Sequence, residues 1–217
     1  MNKKHSGVFI TIEGGEGAGK TTLIRRLEQA LVALDYKLLV TREPGDTELG
    51  KQIRSTLLHS GSVVDPLAET LLFLADRAQH IHEALRPSLQ SGVMVLCDRF
   101  NDSTIAYQGV GRGLGLDFVQ NWCHSICGDI LPDLTLLLDL DPAKGLTRVK
   151  IERNTLDSIE AEDLTFHKKI REAFLLLAKR DPARFEIIDA SASLDEVFEN
   201  SLQAILKRML SYGQCHV

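Results

Sequence analysis

The sequence predicts an α/β fold in which one mostly parallel, five-stranded sheet is flanked by helices. Short apolar runs alternate along the chain with longer stretches of three- and four-residue periodicity, the order that folds as strand, crossover helix and parallel strand. The first run leads straight into a glycine-rich loop followed by a helical pattern. Sheets of this kind bind ligands beyond the carboxyl ends of their strands, so the residues that terminate each run are the first candidates for function.

Residues 8–13 form the first strand. From Lys20 onward Leu23, Ile24, Leu27, Leu31 and Leu34 recur with helical spacing, and a second strand at 38–41 stops at the turn Glu43-Pro44-Gly45. Leu49, Ile53 and Leu57 mark a further helix. A longer one begins near Pro66 and is expected to turn Leu67, Leu71, Leu74, Ala78 and Ile81 toward a core, with an interruption at Pro87. Phe73 and Arg77 are four residues apart and can point into one neighbouring space. The run 93–97 is a strand that delivers Asp98 and Arg99 to its end. A polar, glycine-rich loop is expected from there through Gly115, then a helix at 116–127 and a strand at 134–140. Helices at 143–153 and 163–179, a strand at 185–188 and a helix at 194–210 complete the pattern. There is no internal repeat, and the tail from Ser211 reads as frayed.

The 217 residues suffice to bury one full core and leave little room for a second, so a single catalytic unit spanning 1–217 is expected. A formal charge of -5 gives no general attraction to nucleic acid and suits small anions held by a few placed arginines. Cys97, Cys123, Cys127 and Cys215 have no metal-site spacing and read as reduced thiols. The apolar runs are too short to span a bilayer and the start MNKKHSGVFITIEGG lacks an export cleavage pattern, so a cytoplasmic protein is expected.

The residues Gly14-Gly15-Glu16-Gly17-Ala18-Gly19-Lys20-Thr21 match G-x-x-x-x-G-K-[ST] between a strand and a helix. The glycines let the backbone curl so that its N–H groups face phosphate oxygens, and the helix that follows adds its positive end. This is a P-loop, and with it the expectation becomes a P-loop NTPase fold that binds ATP. Lys20 can bridge the β- and γ-phosphates, Thr21 can ligate Mg²⁺, and Thr22 closes the donor-binding stretch. Glu16 is unusual in a loop built for anions. It is expected to face the acceptor, receiving a hydrogen bond from a sugar hydroxyl or organising metal-bound water.

A P-loop alone does not separate kinases from nucleotide-dependent switches or ATPases. Asp98 at a strand end is a Mg²⁺-directed or phosphate-network carboxylate, and the planar fork of Arg99 suits a phosphate. Phe73 can stack on a planar ring, Arg77 can donate to a ring oxygen, and Thr104, Tyr107 and Gln108 offer polar contacts. Arg54 can reach an acceptor phosphate. After residue 140 the chain turns locally basic, with Arg148, Lys150 and Arg153. A mobile lid at about 148–162 is expected to close over ATP, with Arg153 stabilising charge on the moving phosphoryl group. Paired acceptor-side arginines favour phosphoryl transfer to a small nucleotide over a switch, while kinases of other nucleoside monophosphates or deoxynucleosides stay open on these residues alone.

The stretches FITIEGGEGAGKTT, TREPGDTELGKQIR, LLFLADRAQH, CDRFNDSTIAYQG and IIDAS, in this order, resemble bacterial thymidylate kinases over nearly the whole chain. The resemblance implies conversion of dTMP and ATP to dTDP and ADP for dTTP synthesis, with Mg²⁺, in a homodimer packed through helices. It implies that Phe73 stacks on thymine and Arg77 donates to O4, that Thr104 and Gln108 contact the base edge, and that Tyr107 lies by the sugar and disfavours a 2'-hydroxyl. Arg54 and Arg99 would clamp the dTMP phosphate, and Arg148 would lie against adenine near IIDAS. Some members carry an arginine within the P-loop where this chain has Gly17; the bacterial type supplies it from the lid, here as Arg153. The departure is Asp46, where the bacterial pattern more often has a second glycine after EPG, which leaves the shape of that turn open.

Overall fold

The computed structural model describes residues 6–59, 64–152 and 156–211. Five strands, β1 (Phe9–Gly14), β2 (Leu38–Arg42), β3 (Met94–Asp98), β4 (Leu134–Asp139) and β5 (Phe185–Asp189), form one parallel sheet in the order β2-β3-β1-β4-β5. Every residue of β1 is buried, as a central strand covered on both faces demands. Its register sets Ile12 beside Asp98, and Asp98 beside Arg42 on the far side. The carboxyl ends of β1, β2 and β3 therefore open onto one edge of the sheet.

Helices cover both faces. On one side α1 (Lys20–Ala33) and α9 (Leu194–Ser211) pack their apolar stripes, Leu23, Leu27 and Leu31 with Val197, Ile205 and Met209, against Ile10, Ile12, Leu96 and Leu136. The other helices are α2 (Glu48–His59), α3 (Pro66–His80), α4 (Arg86–Gln90), α5 (Asn101–Thr104), α6 (Leu116–Cys127), α7 (Pro142–Glu152) and α8 (Leu164–Arg180), in chain order, and α4, α6 and α8 pack on the opposite face around Phe9, Val95, Cys97 and Leu137. The start of α3 is fixed by Asp65, whose side chain accepts from the Leu67 and Ala68 amides ahead of Pro66 in the first turn. Asp163 caps α8 in the same way, accepting from Phe166 N–H at 2.7 Å.

Three expectations about the middle of the chain are corrected. In α3 only Leu74 of the first four predicted core residues is buried; Leu67 and Leu71 are 42% and 50% exposed and Ala78 is exposed. The inward face is Thr70, Leu74, Asp76, Arg77 and His80, so polar side chains occupy the position that periodicity gave to leucines. Pro87 does not interrupt the helix. A π-helical turn at Ile81–Leu85 precedes α4 and Pro87 falls in the first turn of α4, where a missing N–H costs little. The expected polar loop after Arg99 is helical: α5 continues as a π-helical segment, Ile105–Gly111, and residues 101–109 are all buried.

That buried stretch is held by partners distant in sequence. Glu13 of β1 accepts from the Phe100 amide at 2.8 Å and the Ser103 hydroxyl at 2.6 Å. On its other side Asp102 receives a fork from Arg184 at 2.6 and 3.0 Å. Burial, reinforced by Asp102, pushes the Glu13 carboxyl up to about 7, against lowering by Ser103, Arg99 and the Phe100 amide. Its ordinary value is 4.5, so the contribution of the neutral form is fully present below about pH 4.5 and is lost as pH rises through about 7. Urea unfolding between pH 5 and 8 is expected to show stability falling with pH by about 3 kcal/mol from this group. In Glu13→Gln that slope should flatten; parallel pH profiles for the two proteins would refute the assignment.

Candidate active site

At the end of β1 the chain turns through Gly14, with φ of 144°, and enters the P-loop, which closes at Gly19 as the first cap of α1. No side chain caps α1, so its first-turn amides face outward as an anion site. Lys20 folds back across the loop, its Nζ donating to the carbonyls of Gly14 at 3.0 Å and Gly15 at 2.9 Å. Burial, and then the neighbouring Arg99, lower the pKa of this lysine. Gly17 needs to be glycine twice over: its φ is 66°, and a Cβ there would lie 2.1 Å from the carbonyl oxygen of Gly145 in α7. The helix rests on the loop through that contact. One turn further along α7, Arg148 reaches the carbonyls of Gly17 and of Ala190 after β5, each at 3.4 Å.

One cleft of about 390 Å³ takes in the loop from Glu16 to Thr22 and also Arg54, Phe73, Arg77, Thr104, Tyr107 and Gln108. Asp98 and Arg99 line it too, and Arg99 joins its two sides. Arg99 donates to the Gly14 carbonyl at 3.1 Å, to Ser103 Oγ at 3.2 Å and to Glu16 Oε1 at 2.7 Å. Its guanidinium lies 5.0 Å from the Tyr107 ring centroid, and the Tyr107 hydroxyl donates to the same Glu16 oxygen at 2.6 Å. Burial opposes ionisation of Glu16, but Arg99, Lys20 and Tyr107 outweigh it and hold the carboxyl at about 2. A charged Glu16 in contact with Arg99 is thus built into the cleft.

Arg77 is 2% exposed, and its donors are directed by named partners. Nε meets Glu43 Oε2 at 2.8 Å, one terminal nitrogen meets Thr104 Oγ1 at 2.9 Å, and the other lies 3.6 Å from Cys123 Sγ. A guanidinium has five N–H donors, so donors remain for a ligand. The side-chain amide of Gln108 donates from Nε2 to Glu69 Oε1 at 2.8 Å. A carboxylate accepts only, which fixes the amide orientation and leaves the Gln108 carbonyl as an acceptor in the cleft. The wall therefore offers a donor and an acceptor beside Phe73. At the edge of the cleft Arg54 donates to the Pro44 carbonyl at 2.8 Å. Burial, and next the nearby Arg42, lower the Arg54 pKa, as expected where guanidiniums crowd in a site that an anion would relieve.

Every predicted site residue within the described stretches lies in or beside this cleft; Gly14 and Gly15 line a small cavity behind the loop, and Arg148 flanks it. Arg153 lies outside the described residues. Glu43, Glu69 and Arg42 were not singled out from the sequence. Arg42 could have been, since it ends a strand; the two glutamates had no local signal, because their partners are 34 and 39 residues away. The turn that carries Asp46 is now defined. Glu43-Pro44 is cis, the positive φ falls on Gly45 at 114°, and Asp46 is spared it. The donor set also fits a Mg²⁺ ion bound with nucleotide. Asp98 Oδ1 is buried without a hydrogen-bond partner, Thr21 presents its hydroxyl in the first turn of α1, and no cluster of three His, Cys, Asp or Glu forms a protein-only metal cage among the described residues.

Comparison with known proteins agrees with this architecture. The family model described as "Thymidylate kinase" matches residues 12–200. A thymidylate kinase of Protochlamydia amoebophila is 48% identical over 208 residues, 92% of each chain, and one of Deinococcus radiodurans is 48% identical across 93% of this chain and 98% of its own. The crystal structure of thymidylate kinase from Ehrlichia chaffeensis superposes with a TM-score of 0.77 at 31% identity, covering 93% of this chain and 99% of the other. With the P-loop, the arginine-linked cleft and a match of this extent, the chain belongs to the thymidylate kinase family.

Proposed function

We propose that this chain transfers the γ-phosphoryl group of ATP to dTMP, giving dTDP and ADP in the supply of dTTP. The observation that carries this reading is Arg99, which binds the P-loop carbonyl and Glu16 while lying against Tyr107 of the base-side wall. A P-loop switch has no need of a second, aromatic-lined wall joined to the loop by a guanidinium. In the proposed reaction an oxygen of the dTMP phosphate attacks Pγ in line, the β–γ bond breaks and ADP leaves. The nucleophile is already anionic, so positioning and charge stabilisation replace a strong base.

The loop amides of residues 14–22 and Lys20 hold the donor phosphates, and Arg148 lies beside adenine. Arg54 and Arg99 aim the acceptor phosphate, with Arg42 adding charge at the same edge. Mg²⁺ bound by Thr21 and Asp98 supplies neutralisation of the phosphate charge. Phe73 stacks on the base. Thymine presents a carbonyl at C4 and an N–H at N3, which match the Arg77 donor and the Gln108 acceptor; cytosine reverses both. Thr104 supports Arg77 at the base edge, and Tyr107 lies where a ribose 2'-hydroxyl would fall. Arg153, in a lid at 148–162 of a single catalytic unit, stabilises the moving phosphoryl group.

The reading includes a homodimer. Neighbouring helices α3 and α6 each leave apolar side chains uncovered, Leu67 and Leu71 on one and Phe118 and Ile126, 46% and 41% exposed, on the other. Surfaces of that kind fit a second copy of the chain. Cys97, Cys123 and Cys127 are buried free thiols, which suits a cytoplasmic setting, and no described helix is long and apolar enough to cross a membrane.

Acceptor-dependent ADP formation tests the assignment. With ATP and Mg²⁺, dTMP is expected to be the best acceptor, dUMP weaker, and UMP, dCMP, AMP and thymidine far weaker, with one dTDP per ADP. A faster reaction with dCMP or a purine acceptor would overturn the base-site reading, and ADP formation independent of acceptor would overturn the kinase itself. Glu16→Gln is expected to lower kcat roughly ten- to hundred-fold, about 1–3 kcal/mol, with the KM for ATP nearly unchanged. Arg153→Ala should reduce kcat with little change in dTMP affinity; equal losses in both would assign it to binding.

A further inference from the structure

A row of hydrogen bonds leads from the surface at Asp46 to the base side of the cleft. Thr41 Oγ1 donates to Asp46 Oδ2 at 2.5 Å and lies 2.7 Å from His80 Nε2. His80 Nδ1 lies 2.9 Å from Glu43 Oε1, and the other oxygen of Glu43 accepts from Arg77 Nε. Thr41, Glu43, Arg77 and His80 are each no more than 4% exposed, whereas Asp46 is exposed. Direction along this row is set by donor count. A threonine hydroxyl has one proton, and a carboxylate has none to give. Glu43 can only accept, so His80 Nδ1 donates to it, and the Thr41 hydroxyl links His80 Nε2 to Asp46.

We infer that Asp46 and His80 are positioning residues for Arg77, with Asp46 and Thr41 holding the His80 ring against Glu43. Asp76, four residues before His80 on α3, adds an acceptor at the same place, with Oδ1 taking the Gly45 N–H at 3.1 Å. Without the Asp46 acceptor the Thr41 hydroxyl is free to turn and the His80 ring loses its fixed partner. The grip on Glu43 loosens, and with it the aim of the Arg77 donors that remain for the base. The inference rests on the reading of Arg77 as the contact to the base.

Nitrogen NMR of the full chain labelled at histidine reads the first half directly, with His80 identified among the seven histidines as the signal lost in His80→Gln. In Asp46→Ala and Thr41→Val the His80 Nε2 signal is expected to shift while the other histidines keep theirs. Unchanged His80 signals in Asp46→Ala overturn the inference. Kinetics read the second half. Asp46→Ala and Thr41→Val are expected to raise the KM for dTMP roughly five-fold and to leave kcat and the KM for ATP nearly unchanged. Thr41→Ser, which keeps the hydroxyl, should restore the KM. If His80 changes state while the dTMP KM does not, or if Thr41→Ser matches Thr41→Val, the positioning role is refuted. Failure of the underlying reading has a different signature: Arg77→Gln would leave the dTMP KM unchanged while the His80 signals stayed as predicted.

Discussion

A guanidinium placed between the P-loop and the Tyr107 wall of the cleft has to find acceptors for its donors, and that requirement organises this molecule. Arg99 meets it from a left-handed backbone conformation with φ of 69°, unusual for a residue with a long side chain. Holding it there costs about 1–3 kcal/mol. The surroundings over-determine the position: Gly14 and Glu16 engage the guanidinium from the loop, Ser103 from α5, and the Arg99 amide donates back to Ile12 of β1 at 3.1 Å. Moving any of these elements moves Arg99, which on the proposed reading aims the acceptor phosphate.

The same requirement explains why so much charge is buried in a chain of ordinary composition. Glu16, Glu43 and Glu69 each lie against an arginine, Arg99, Arg77 and Arg112 in turn. Such pairs are weak sources of stability, since desolvation offsets most of the attraction, but removing one partner strands the other. Their value here is geometric. Each carboxylate consumes the donors that would otherwise swing freely and leaves the remaining ones pointing into the cleft, as Glu69 does for the Gln108 amide and Glu43 for Arg77.

How far the sequence could be read follows from the same division. The five strands and most helices were legible because their residues answer to local rules: apolar runs bounded by turns, leucines at helical spacing, glycines where the P-loop curls. The P-loop and the strand-end pair Asp98-Arg99 were legible for a similar reason, since topology alone places them at one edge. The face of α3 was misread because periodicity assigns leucines to the interior, whereas here Asp76, Arg77 and His80 face in and Leu67 and Leu71 face out. Residues 101–109 read as a polar loop because the partners that make burial tolerable, Glu13 and Arg184, are about 80–90 residues away. Pairings at that distance leave no periodic trace.

Gly17 shows how packing constrains where catalytic charge can come from. With its Cβ position filled by the Gly145 carbonyl, the loop has no space for a side chain that could reach the γ-phosphate from that point. In the proposed reaction, positive charge at the transferring group therefore comes from Lys20, from Arg99 and from residues outside the loop. Helix α7 is tied to the loop at two places, Gly145 against Glu16 and Gly17, and Arg148 on the Gly17 carbonyl. α7 is therefore held against the P-loop between Gly145 and Arg148. On the proposed reading, an arginine from outside the loop replaces the charge that the backbone contact at Gly17 excludes from it.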